Sequence, residues 1–147
     1  MALLNYTTSV SCTRTVAEIQ AKLAKAGAHQ ILQEFADGVV TALSFKINTR
    51  WGEMAFRLPA NIQAVREVLQ RQFPRSRSAW QGTKSADVGW RILKDWIEAQ
   101  LALIETGMVT VEQVFLPYLQ DNKGVTVYEA LELKRFNGLT LEDKKNA

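Results

Sequence analysis

Residues 28–58 constrain the fold more than any other part of the chain. In "VVTALSFKI" (39–47), Val39, Thr41, Leu43, Phe45 and Ile47 alternate with Val40, Ala42, Ser44 and Lys46, the period of a strand with one apolar face. Asp37-Gly38 precedes it, a pair that tolerates the positive φ of a tight hairpin turn, so "HQILQEFA" is its antiparallel neighbour. "NTRWG" is a second turn. It leads into "EMAFRL", where Met54, Phe56 and Leu58 alternate with Glu53, Ala55 and Arg57. Three consecutive antiparallel strands result, and the β-branched "LLNYTTSVSC" at 3–12 reads as a fourth.

Helices must cover the apolar face. Thr15 and Glu18 have the spacing of a capping box, and Val16, Ile19 and Leu23 follow at helical spacing, so a helix is predicted over about 16–26, stopped at Gly27. Pro59 ends strand pairing. Asn61 caps a helix whose stripe is Ile62, Val65, Val68, Leu69 and Phe73. "PRSRSAWQGTKSA" breaks the pattern and reads as a mobile loop or hinge. The longest helix is expected at 86–106, with Gly107 ending it. "TVEQ" (110–113) and "TVYE" (126–129) are two more capping boxes, separated by Pro117 and the "DNKG" turn, and the last helix should reach about Arg135.

The predicted class is therefore α+β: a small antiparallel sheet of three to four strands, packed helices and a helical C-terminal half. The 147 residues suit one domain, with sheet and helices at 1–73, a loop at 74–86, a helical part at 87–136 and a polar tail at 137–147. No apolar run reaches the roughly 20 residues that span a bilayer. A single cysteine and the absence of a basic, apolar leader point to a cytoplasmic protein without disulfides.

Missing residue types narrow the chemistry. Cys12 and His29 are alone of their kinds, so a zinc cluster of cysteines and histidines is not available. His29 with Cys12, Ser9 or Ser11 is the one arrangement that could form a nucleophile and base; a buried cysteine and a loop histidine is the stronger reading. Phosphate-loop and metalloprotease motifs are absent. Glu98 and Glu105 are expected on a solvated helix face. No catalytic residue, metal or cofactor is assigned, and the chain is read as a non-enzyme.

Charge is unevenly distributed. Residues 62–96 hold seven cations against three anions, whereas residues 97–147 hold five against eight. Within the basic stretch, "AWQGTKSADVGWRILKDW" interleaves tryptophan with lysine and arginine. Trp90 and Trp96 are about 240° apart on a helix. Trp96 falls with Leu93 and Ile97 in the core, which leaves Trp90 partly exposed near Lys94. Arg75, Arg77, Trp80, Lys84, Arg91 and Lys94 could form a platform on which cations hold phosphates and indoles stack bases. The alternative is that Trp80 and Trp90 staple the long helix to the sheet. Arg50 and Trp51, at a hairpin tip, are a second candidate contact.

The segments "FRLPANIQAV", "GWRILKDWIEAQLALIETGMVTVEQVFLPYL" and "TVYEAL" resemble a set of small uncharacterised proteins of bacteriophages and mobile elements, over most of residues 30–131. The resemblance implies an intracellular accessory role and assigns no functional residue. Such proteins handle nucleic acid or block a host factor. Single-stranded DNA or RNA is thus the leading partner. A host nucleic-acid-handling or defence protein is the alternative, and a small nucleotide held between subunits a third. Self-association stays open.

Overall fold

A computed structural model describes residues 1–141. Its elements are α1 (Cys12–Lys25), β1 (Ala28–Ala36), β2 (Val39–Thr49), β3 (Gly52–Arg57), α2 (Ile62–Gln72), α3 (Lys84–Glu105), α4 (Val111–Val114), β4 (Leu119–Gln120) and α5 (Val127–Leu133). The strands form one antiparallel sheet in the order β1-β2-β3-β4. This is the α+β architecture expected from the sequence. No helix among the described residues is long and apolar enough to cross a membrane.

Local chemistry explains most boundaries. Asp37 (φ 51°) and Gly38 (φ 76°) take the left-handed conformations of a two-residue hairpin turn, with Ala36 opposite Val39. The Asn61 side chain accepts from the Ala64 amide and starts α2. Thr110 with Gln113 and Thr126 with Glu129 form complete capping boxes at α4 and α5. Pro117 lies in a 3-10 turn, Leu116–Tyr118, that follows α4.

Four expectations are corrected. Residues 3–12 are not a strand. Asn5 sits at φ 63°, the Val10 amide bonds to Thr8 Oγ1 (3.2 Å), and the Ser11 hydroxyl caps α1. Hydroxyl side chains that bond to nearby backbone thus turn the segment instead of extending it. The fourth strand is Leu119–Gln120, beside β3. The helix predicted at 16–26 begins four residues earlier, so Thr15 lies inside it and is fully buried, and Glu18 is free to pair elsewhere. Strand alternation in β2 also fails near its start. Thr41 is an extra residue opposite β1, between the pairs Glu34↔Ala42 and Phe35↔Val40. Val40 is accordingly buried and Val39 only half-buried. The last helix ends at Leu133, where Arg135 and Phe136 turn left-handed. Of the tail, residues 142–147 lie outside the described residues.

The core lies between the sheet and α1 and α3. It contains Val16, Ile19 and Leu23 of α1, Leu43, Phe45 and Ile47 of β2, Phe56 of β3, and Trp90 and Ile97 of α3. Phe115 closes one end, with its ring 5.5 Å from Phe45 and 5.6 Å from Trp96. Helix α2 crosses α3 at Gly89, where an added Cβ would meet Ile62 Cδ1 and Val65 Cγ2 at 3.1 Å. Trp90 is 0% exposed, and its Nε1 donates to the Val40 carbonyl at 2.9 Å. The bulge at Thr41 and the indole are therefore one joint between sheet and long helix.

Trp90→Phe retains most of the ring but orphans that buried carbonyl. Urea unfolding should report a loss of about 1–3 kcal/mol with unchanged slope. Trp90→Ala should cost about 3–5 kcal/mol. A Trp90→Phe protein as stable as the parent would remove the joint from this account.

A candidate nucleic-acid interface

The cations of α3 lie along its seam with α1 and the N-terminal segment. Lys84 Nζ donates to the Thr8 carbonyl. Asp87 Oδ1 accepts from the Cys12 amide (2.7 Å), giving the start of α1 a second cap. One turn on, Arg91 Nη1 reaches Glu18 Oε2 (2.7 Å) and Thr15 Oγ1 (3.5 Å). Lys94 Nζ lies 2.7 Å from Glu98, which also holds Lys22 at 3.1 Å. Helical spacing of three or four residues places 84, 87, 91, 94 and 98 on one side of α3. Three of the six residues expected at the mid-chain platform, Lys84, Arg91 and Lys94, are thus occupied within the fold. The partly exposed Trp90 expected from the sequence is instead wholly interior. The competing reading, an indole fastening the long helix to the sheet, describes it. Trp96 is half-buried against Phe115 and Tyr118.

The other three residues lie in the segment that follows α2. The chain leaving α2 is tied down by short bonds: Ser76 N to Phe73 O (3.1 Å), Ala79 N to Ser76 O (3.0 Å) and Gln81 N to Arg77 O (2.7 Å). A 3-10 turn forms at Arg77–Ala79 within the stretch read as a mobile loop. Trp80 is half-buried, its Nε1 donating to Phe73 O at 3.1 Å. The Arg66 guanidinium stands over the Trp80 ring, 5.6 Å from its centroid. Arg75 and Arg77 are exposed. Across residues 62–83 the formal charges are Arg66, Arg71, Arg75, Arg77 and one acid, Glu67. None of these four arginines takes part in an ion pair among the described residues. Arg66 was not singled out from the sequence. The usable signal was its position seven residues before Phe73, which returns it to the same side of α2 as the loop carrying Trp80.

At the β2–β3 tip, Gly52 (φ 112°) closes the turn. Trp51 is 67% exposed, with the Arg50 guanidinium 4.7 Å above its ring. Glu112, in the first turn of α4, belongs to this corner. Its carboxyl is held below the usual range, first by its own backbone amide and by Thr110, and further by the Arg50 charge and Trp51 indole. Its Oε2 is nonetheless shielded without a partner at hydrogen-bond geometry.

The nucleophile–base arrangement is not assembled. His29, at the start of β1, pairs with Glu53 (3.0 Å), whereas Cys12 opens α1. Cys12 is the first residue of the 14-residue α1, and His29 follows its C-terminal end in β1. Burial, with Asp87 adding to it, pushes the Cys12 thiol up, the opposite of what a nucleophile needs. Among the described residues, no group of three or more His, Cys, Asp and Glu side chains is placed to hold a metal ion.

The lysines around Glu98 give a pH signature. The Lys94 hydrogen bond, then Lys22, hold the Glu98 carboxyl below its ordinary value of 4.5. Its contribution to stability is therefore complete above that value and disappears as pH falls through the lower folded-state value. Glu98 is more than a third exposed, so the effect is well under about 1 kcal/mol. Parent and Glu98→Gln proteins should differ slightly in urea midpoint at pH 7 and converge on acidification below about pH 4. A difference that persists at low pH would show that packing, not charge, is lost.

Comparison with protein-family models, curated proteins and solved structures finds no match, so a functional reading rests on the residues just described.

Proposed function

We propose that this chain is a non-enzymatic accessory protein that binds nucleic acid, single-stranded DNA or RNA, at the end of α2. Arg66, Arg75 and Arg77 hold backbone phosphates around Trp80, with Arg71 at the flank. The accessible part of the Trp80 ring offers a surface for a base. The observation that carries this reading is a run of four arginines without an acid partner among the described residues, one of which, Arg66, stands over an indole fixed in place by a backbone carbonyl. Elsewhere in the basic stretch the fold has spent its cations internally. Lys84, Arg91 and Lys94 thus contribute through long-range field, not by direct phosphate contact. A cytoplasmic setting and the phage-type accessory role implied by the sequence resemblance agree with such a partner.

A second reading has its own support at the hairpin tip. Tryptophan and arginine are enriched among the residues that anchor protein–protein contacts, and here an exposed tryptophan lies under an arginine. Arg50 and Trp51 would then dock a host protein, as an inhibitor of a defence complex does.

Fluorescence anisotropy with a labelled single-stranded oligonucleotide separates the two. Three or four phosphate contacts predict that raising salt from about 50 to 200 mM weakens binding roughly 20- to 50-fold. Arg75→Glu with Arg77→Glu should abolish retention at the lower salt, and Trp51→Ala should leave it intact. Absence of any retention at the lower salt would overturn the nucleic-acid reading. Affinity unaffected by the double charge reversal would move the site elsewhere.

A further inference from the structure

One sheet edge is closed and the other is not. At the β4 side, Gln120 bridges to Thr126 and the Asp121–Gly124 turn folds over the end. At the other side β1 presents nine residues, Ala28–Ala36, and its only strand partner among the described residues is β2. Natural edges are usually blunted by proline, lysine or shortness. This strand, "AHQILQEFA", has neither residue and is longer than β3 or β4. It also exposes two large apolar side chains, Leu32 at 63% and Phe35 at 62%.

The hairpin sets which backbone groups are free. Ala36 and Val39 flank a two-residue turn and so form a hydrogen-bonded pair, which directs the backbone groups of alternate residues Glu34, Leu32 and Gln30 toward β2. The bond from Thr41 Oγ1 to the Glu34 carbonyl (3.3 Å) agrees with that direction. The N–H and C=O groups of Ile31, Gln33 and Phe35 then point outward. The irregularities of the hairpin leave this run intact, since the extra residue at one end is Thr41 of β2 and the other shift falls at His29.

We infer that β1 pairs antiparallel with β1 of a second copy of this chain about a two-fold axis at Leu32, joining two four-stranded sheets into one. The strand is complementary to itself in this register. Ile31 faces Gln33 of the second copy in hydrogen-bonded pairs. Leu32 faces its own counterpart in the closer, non-hydrogen-bonded type of pair, and Glu34 faces the Gln30 amide. Across Gln30–Glu34 no carboxylate meets a carboxylate. An unrelated partner would have to supply this pattern, whereas a second copy supplies it by symmetry. The neighbouring surface permits the approach: Ala17, Ala21 and Ala24 give α1 a small-residue, exposed side along the groove beside β1. The dimer is independent of the nucleic-acid reading, because none of its residues belongs to the arginine cluster.

Sedimentation velocity of the full chain at micromolar concentration tests it, with three variants. Gln33→Pro removes an outward N–H that β2 does not use, so it should give monomers while preserving the far-UV circular dichroism. Leu32→Lys should do the same by placing two ammonium groups face to face. Leu32→Cys should oxidise to a covalent dimer, since non-hydrogen-bonded partners have Cα atoms about 4.5 Å apart, within disulfide reach. The parent protein, whose single cysteine is buried, should not cross-link. A monomeric parent, or a dimer that survives both Gln33→Pro and Leu32→Lys, would overturn the inference. Cross-linking through Gln33→Cys in place of Leu32→Cys would overturn the register.

Discussion

The hydrogen bond from the Trp90 indole to the Val40 carbonyl fixes how the two halves of this molecule meet. It couples a bulge in β2 to the long helix α3 at the centre of the core. With Trp90 turned to the sheet, the adjacent Gly89 lies where α2 crosses, and its missing side chain lets Ile62 and Val65 come close. The flank carrying Lys84, Arg91 and Lys94 is then turned along α1 and the N-terminal segment. One rotation of α3 about its axis thus sets three packing surfaces together.

That rotation also decides which charges remain available. On the α1 seam Arg91 meets Glu18 and Lys94 meets Glu98, so both lose much of their attraction for an external anion, while Lys84 bonds to the Thr8 carbonyl. The arginines of α2 and of the following turn form no ion pair among the described residues. The mid-chain excess of positive charge, spread over 35 residues in the sequence, divides in three dimensions into a seam whose cations bond within the fold and four arginines without ion pairs among the described residues, one of which, Arg66, stands over Trp80. Fold and candidate site are consequences of the same helix orientation.

Local rules made much of this fold legible. Asp37-Gly38, Asn61, the two threonine capping boxes and Gly107 act on their own neighbours, and each fell where the sequence places it. The N-terminal segment misled because threonine and serine favour strands and local hydroxyl–backbone bonds alike, and tertiary contacts decide between them. Here Tyr6 stacks on Phe73 (5.2 Å) and the Leu3 amide bonds to Gln72 Oε1 (2.9 Å). Thr15 and Glu18 have the spacing of a cap, yet Ser11, assisted by Asp87 from 75 residues away, starts the helix first. The burial of Trp90 and the pairing of Arg91 and Lys94 were equally out of reach. Helical periodicity gives relative angles between side chains but not which angle faces the sheet.

The most direct test of the account is a heteronuclear NMR titration of the protein with a single-stranded oligonucleotide, following the four tryptophan indole N–H signals and the backbone amides. The account predicts that the Trp80 indole and the amides from Phe73 to Gln81 move first, while the Trp90 indole and the amides along the α1–α3 seam stay in place. Movement of the seam or of Trp51, with Trp80 unmoved, would contradict it.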